Sequence, residues 1–244
     1  MFWCLGHKGG GSVCSGGVSL VDRGTKIGSM KIIDALTGPI TQTDLAVIDA
    51  AVKRDELLVM PTDTVYGIAS VPFAPVAVSR LQNAKGRGED FPPPVLVSGP
   101  AALEDLMAPE PQASASQRRA ARLLAERFWP GALTIIVTAN PALGWDLGQT
   151  HGTIALRQPD HPRALEILRY TGPLAVTSAN LHTRPPATDI AAATNYFGER
   201  VSVYVDAGVS PSGHPSTIVR LTQDSPRLLR QGDIPLSDIL AALV

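Results

Sequence analysis

Four polar clusters stand at the ends of this chain's short apolar runs, and that alternation constrains the fold most. Leu57-Leu58-Val59-Met60 leads into Pro61-Thr62-Asp63-Thr64-Val65-Tyr66-Gly67, and Leu174-Ala175-Val176 into Thr177-Ser178-Ala179-Asn180. Lys85-Gly86-Arg87 closes the stretch 75–84, and Gly213-His214-Pro215-Ser216-Thr217 borders the β-branched run 216–221. Apolar runs of that length, bounded by turn residues, read as buried strands. Loops outside strand ends are where open α/β sheets bind ligands.

The rest of the chain supplies the partners such strands need. Strand-like runs fall at 57–60, 65–71, 95–97, 133–138, 153–156, 174–177, 201–205 and 216–221. Helical spacing predicts 43–54 (capped by Thr43 or Asp44), 75–84, 116–128, 161–170 (Asp160 as cap, Pro162 in the first turn), 188–197 (capped by Thr188) and 236–243. Helices and strands mix without strict βαβ alternation. The expected class is therefore α/β (or α+β), one twisted mixed sheet carrying flanking helices. Hydrophobic residues at 44% suffice for a core, and 22 Gly with 21 Pro imply many turns.

Residues 1–29 differ in character from the body of the chain. They hold eight glycines and no apolar face, and at Met30 the pattern changes to Met30-Lys31-Ile32-Ile33. The expectation is a disordered N-terminal extension, with Met30 favoured as the true start, and one domain over 30–244. No continuously apolar stretch of about 20 residues exists, so no membrane-spanning helix is expected.

Several chemistries are excluded. Cys4 and Cys14 are the only cysteines, so the body has neither a disulfide framework nor a Cys-based zinc site. The five histidines show no metal-binding spacing, and no protein-ligated metal is expected. Walker A, Rossmann, nucleophile-elbow and kinase signatures are all missing. The chain carries net −1. Removing Lys8, Arg23 and Lys26 against Asp22 takes the body to −3, which argues against tight non-specific binding to nucleic acid.

Each cluster alone reads as readily as turn or cap chemistry. Pro-Thr-Asp-Thr suits an Asx turn, Ser-Ala-Asn a helix cap, Lys-Gly-Arg a solvated turn, and Arg118-Arg119-Ala120-Ala121-Arg122 a solvated helix face. Together they say more. Lys85 and Arg87 flank one glycine, and two cations so close repel unless an anion lies between them. A polyphosphate is the commonest such anion.

In order, Pro61–Gly67, Lys85-Gly86-Arg87, Trp129-Pro130-Gly131, Ala155-Leu156-Arg157 with Pro159-Asp160-His161-Pro162, Ser178-Ala179-Asn180, Pro215-Ser216-Thr217-Ile218 and Leu229-Arg230-Gln231-Gly232 resemble the motifs of the YrdC-type threonylcarbamoyl-AMP synthases, in the short, single-domain form. The resemblance runs from about Thr41 to Asp233. It implies a YrdC/RibB-like fold around a concave, basic cavity. It also implies an activity: L-threonine, bicarbonate and ATP give L-threonylcarbamoyl-adenylate and pyrophosphate, for the t6A modification of tRNA. ATP would be a substrate bringing its own Mg²⁺, and a transferase complex would accept the product. Weak tRNA contact, no membrane partner and a cytoplasmic location complete the expectation.

Carried over by motif, Thr62, Thr64, Arg157 and Ser216 would bind threonine. Lys85, Arg87, Thr153, Ser178, Asn180 and Arg230 would bind ATP, with Lys85 and Arg87 facing the phosphates as the catalytic cations. Five positions depart from the family pattern: Phe91, Leu96, His182, Thr183 and Pro186. Two rival readings are a carbamoyl-adenylate-forming domain of another kind and an RNA-binding module.

Overall fold

The computed structural model describes residues 30–88, 90–223 and 225–244; the extension expected over 1–29 lies outside them. Ten strands form one mixed sheet. In chain order they are β1 (Lys31–Asp34), β2 (Leu58–Met60), β3 (Gly67–Ser70), β4 (Val95–Leu96), β5 (Leu133–Thr138), β6 (Thr153–Arg157), β7 (Leu174–Ser178), β8 (Val203–Asp206), β9 (Thr217–Arg220) and β10 (Arg227–Arg230). Their spatial order is β1-β8-β2-β3-β7-β4-β6-β5-β9-β10. The pairs β1–β8, β2–β8, β4–β6 and β5–β9 are parallel and the others antiparallel. The expected mixed α/β class holds.

Seven helices flank the sheet: α1 (Gln42–Lys53), α2 (Pro75–Lys85), α3 (Ala101–Leu106), α4 (Ala115–Phe128), α5 (Pro162–Thr171), α6 (Ile190–Phe197) and α7 (Leu236–Ala241). Strand alternation divides the interior into two cores. Leu57 and Val59 enter one, while Leu58 and Met60 enter the other, so β2 is buried on both faces as its apolar run predicts. The larger core packs α3, α4, α6 and α7 on one face of the sheet. The smaller packs Leu45, Ile48 and Val52 of α1 and Ala164, Ile167 and Leu168 of α5 on the other.

That second face is covered only in part. The smaller core draws strand residues from β1, β2, β3, β4, β7 and β8. On β5, Leu133, Ile135 and Val137 point into the larger core, which leaves Thr134, Ile136 and Thr138 on the other face. By the same alternation β6 presents Thr153, Ala155 and Arg157, and β9 presents Ile218 and Arg220. On this face hydroxyls and the guanidinium groups of Arg157 and Arg220 stand among Ile136, Ala155 and Ile218, so an apolar helix would bury polar groups against it. The face forms instead the floor of a depression.

Several boundaries differ from expectation. Thr41 caps α1, its hydroxyl accepting from the Asp44 amide at 3.1 Å, in place of Thr43 or Asp44. Asp189 replaces Thr188 as the cap of α6. His161, not Asp160, occupies the cap position of α5 and makes no side-chain capping bond; Pro162 opens that helix as expected. The residue pattern does not foresee β1, α3 or β10. β1 and α3 are short, and β10 (Arg-Leu-Leu-Arg) lies at the sheet edge, where alternation carries little signal. The basic stretch of α4 is more than a solvated face. Arg118 and Arg122 both donate to Glu104 of α3, at 2.6 and 2.9 Å.

Candidate functional site

A cavity of about 440 Å³ lies on the partly covered face. Its floor is Thr134 and Ile136 of β5, Thr153, Ala155 and Arg157 of β6, and Ile218 and Arg220 of β9. Its walls are the loop after β2, Arg87 with Asp90–Pro94, the end of β7, and Ser216 with Arg230. The polar clusters thus converge because the strands that carry them sit side by side in the sheet, although the chain separates them by up to about 150 residues.

Arg157 organises one end. It is 6% exposed and every nitrogen of its guanidinium is engaged. Nε donates to the Gly131 carbonyl at 2.9 Å, Nη1 to Thr64 Oγ1 at 2.9 Å, and Nη2 to Asp63 Oδ1 at 2.6 Å. Burial weakens the hold of Arg157 on its proton, and the Asp63 carboxylate opposes that. Thr64 Oγ1 lies 3.0 Å from Thr62 Oγ1, and Thr62 donates to the Val65 carbonyl at 2.6 Å. Asp63, to which the sequence assigns no role, therefore supplies the counter-charge that lets a guanidinium stay buried.

Across the floor, Ser216 Oγ and Thr134 Oγ1 are 2.8 Å apart. Arg230 donates from Nε to the Ser216 carbonyl at 2.9 Å and from Nη2 to Ser216 Oγ at 3.1 Å. The turn after Arg230 is pressed onto this strand end. A Cβ at Gly232 would lie 2.4 Å from the Pro215 carbonyl oxygen and 2.5 Å from the Thr217 nitrogen, so no side chain fits there. Gly67 is similarly confined, its absent Cβ falling 2.5 Å from Val176 Cγ1 in the cavity wall.

Arg87 and Lys85 diverge at the end of α2. Gly86 takes a left-handed conformation (φ 68°) that terminates the helix and sends the two side chains apart. Arg87 lines the cavity, donates to Thr177 Oγ1 at 2.8 Å and lies 5.5 Å over the Phe91 ring. Phe91 in turn meets the His182 ring at 5.7 Å. Two departures from the family pattern therefore pack on each other and cover one side of Arg87. Lys85 points behind the wall. It is 1% exposed and its ammonium donates to the carbonyls of Ser178 and Asn180 and to Asn180 Oδ1. Burial lowers its pKa to about 7, with the Arg87 charge adding to the effect.

Of the ten residues picked out from sequence, Thr62, Thr64, Arg87, Thr153, Arg157, Ser178, Ser216 and Arg230 line the cavity. Lys85 and Asn180 are not on its surface; they are bonded to each other behind it. The structure adds Thr134, Thr177 and Arg220 to the lining. Strand alternation carries the signal for Thr134 and Arg220. Thr134 shares a face with Ile136, and Arg220 shares one with Ser216 and Ile218. Among the described residues, no group of three or more His, Cys, Asp or Glu side chains could hold a metal ion.

Comparison with known proteins identifies relatives in sequence and in fold. The Sua5/YciO/YrdC family model, described as "Telomere recombination", matches residues 50–232. A Mycobacterium tuberculosis (strain H37Rv) protein named "Putative threonylcarbamoyl-AMP synthase" is 47% identical over 193 residues, covering 79% of this chain and 86% of that one. The crystal structure of Pyrococcus abyssi Sua5 complexed with L-threonine superposes with a TM-score of 0.76 at 30% identity. That superposition covers 87% of this chain, which spans about three-fifths (61%) of the length of the Pyrococcus protein. Escherichia coli YciO, at 19% identity and a TM-score of 0.74 over 86% of this chain and 99% of its own, shares the fold.

Proposed function

The chain belongs to the Sua5/YciO/YrdC family, and from that membership and the cavity we propose that it is an L-threonylcarbamoyladenylate synthase, joining L-threonine, bicarbonate and ATP with release of pyrophosphate. The observation that carries this reading is the pairing of two unlike halves in one cavity. One end is a buried guanidinium with hydroxyls, Arg157 with Thr64 and Thr62; the other walls carry the cations Arg87 and Arg230.

The chemistry suits those side chains. The threonine amine attacks bicarbonate-derived CO₂ to form a C–N bond and a carbamate. A carbamate oxygen then attacks the α-phosphorus of ATP, and the α–β P–O bond breaks to release pyrophosphate. Carbamates lose CO₂ readily in water, so a concave site that holds the carbamate against the α-phosphate favours the forward step. Negative charge accumulates on phosphoryl oxygens, which fixed cations and hydroxyl donors stabilise without a nucleophile or base. Mg²⁺ enters as part of the nucleotide substrate.

Thr64, Arg157 and Ser216 are assigned to threonine, with Thr62 holding Thr64 in place. Arg87, Thr153, Ser178 and Arg230 are assigned to the nucleotide. Lys85 and Asn180 are assigned to positioning the Ser178 loop. The product is a mixed anhydride that hydrolyses readily, so an acceptor enzyme must consume it; transfer to tRNA in t6A synthesis is the proposed fate. No helix among the described residues is long and apolar enough to cross a membrane.

The test is pyrophosphate release with threonine, bicarbonate and ATP omitted in turn. Release that requires all three supports the reading. Release that survives omission of threonine sinks it.

A further inference from the structure

One cation in the cavity has no role in binding threonine or the nucleotide as assigned. Arg220 lies on the floor, on the strand face shared with Ile218 and Ser216. Its backbone pairs with Ile136 of β5, which pairs with Ala155 of β6, so these three residues form one row across the floor. Arg157 and Arg230 are committed to protein acceptors, and Arg87 to Thr177. Arg220 differs. Among the described residues its Nε is buried without a hydrogen-bond partner and Arg220 enters no ion pair. A guanidinium held on the cavity floor with an unmet donor is costly unless a ligand supplies the acceptor.

Position narrows the ligand. Four residues of extended strand place Arg220 about 13 Å from Ser216 along β9. Its row crosses β6 at Ala155, between Arg157 on one side and Thr153 with the 149–151 lining residues on the other. The described lining carries Arg87, Arg157, Arg220 and Arg230 against one carboxylate, Asp90. A single amino-acid carboxylate, already matched to Arg157, leaves the other three cations for a ligand of higher charge.

We propose that Arg220 binds the β- and γ-phosphates of the nucleotide, and the pyrophosphate they become. This inference rests on the synthase reading. Donation from the fork to non-bridging phosphate oxygens stabilises the leaving group as the α–β P–O bond breaks.

The experiment measures three quantities on the wild type and on Arg220→Gln: the KM for ATP, the Kd of inorganic pyrophosphate with Mg²⁺ present, and the Kd of L-threonine. The wild type must first release pyrophosphate in a threonine- and bicarbonate-dependent way; if it does not, the synthase reading itself has failed. Given that activity, the expected result is a rise of at least tenfold in both the ATP KM and the pyrophosphate Kd, with threonine affinity unchanged. Unchanged pyrophosphate affinity overturns the proposal, whatever happens to threonine. If Arg220→Gln binds neither ligand, Arg220→Lys decides. Full threonine binding with weakened pyrophosphate binding supports the proposal, because lysine keeps the charge and loses the fork. Any other pattern overturns it.

Discussion

Lys85 and Asn180 are joined twice: the ammonium donates to the Asn180 carbonyl at 2.9 Å and to its Oδ1 at 3.0 Å. Ser178 Oγ donates to the same Oδ1 at 2.6 Å, and the Asn180 amide donates on to the carbonyls of Leu181 and Arg184. Two clusters 93 to 95 residues apart in sequence are thus one hydrogen-bonded unit behind the cavity wall.

Lys85→Met should therefore unfold more easily as well as lose activity. It leaves buried carbonyl acceptors without a donor, at about 1–3 kcal/mol each. A loss of at least about 2 kcal/mol, or roughly 4–8 °C in Tm for a chain of this size, is expected. The pH profile has a definite sign. Lys85 titrates at about 7 when folded and near its ordinary value when unfolded. Between those values the unfolded chain binds more protons, so stability gains as pH rises, by at most about 1.4 kcal/mol per unit. Below about pH 7 both states are protonated and the cost of burying the charge is complete. Wild-type stability minus that of Lys85→Met should rise from pH 7 to 9.5 in denaturant melts; a flat difference would contradict the burial of a titrating ammonium.

Arg157→Lys should weaken L-threonine binding at least tenfold. One ammonium cannot serve Gly131, Thr64 and Asp63 in the directions that a planar fork reaches. Asp63→Ala should cost stability, about 3–5 kcal/mol, because it strips the counter-charge from a buried guanidinium. Calorimetric titration and thermal melts separate the two effects.

Arg87→Ala should raise the ATP KM at least tenfold, as charge-assisted bonds to phosphate are worth about 1.5–3 kcal/mol each. Its structural ties are one bond to Thr177 and the Phe91 ring, so Tm should fall by no more than about 5 °C. A badly destabilised variant with a normal ATP KM would mean that Arg87 is structural.

Substrate choice depends on hydroxyl partners. With Thr64 and Ser216 bonding the substrate side chain, valine forgoes those bonds and should support pyrophosphate release at least about tenfold less well than threonine. Serine lacks only a methyl group, worth about 1 kcal/mol, and should fall between them. Equal rates with valine would remove these residues from the side-chain pocket.

Gly232→Ala should cost about 1–3 kcal/mol, because the new methyl meets backbone atoms of Pro215 and Thr217 that cannot rotate away. The strain falls on the strand end that carries Ser216, so threonine and ATP affinities should both weaken. A variant with wild-type Tm and kinetics would show that the turn moves freely.

Residue pattern alone dictates the strand and helix content of most of the body. Leu57–Met60 and Leu174–Val176 read as buried strands and supply β2 and most of β7, and eight of ten motif residues reach the cavity because the strands next to them are neighbours in the sheet. Adjacency in sequence misleads for Lys85 and Arg87. Only the left-handed turn at Gly86 and the depth of β7 decide that one cation faces the cavity while the other is consumed by Ser178 and Asn180. Tertiary packing also places Asp63 against Arg157 and leaves Arg220, among the described residues, without an acceptor for its Nε. The physical reason is common to these three cases. A side chain's role is set by which partners surround it and how much water is excluded. Those partners come from strands brought together by sheet order, which local residue patterns do not encode.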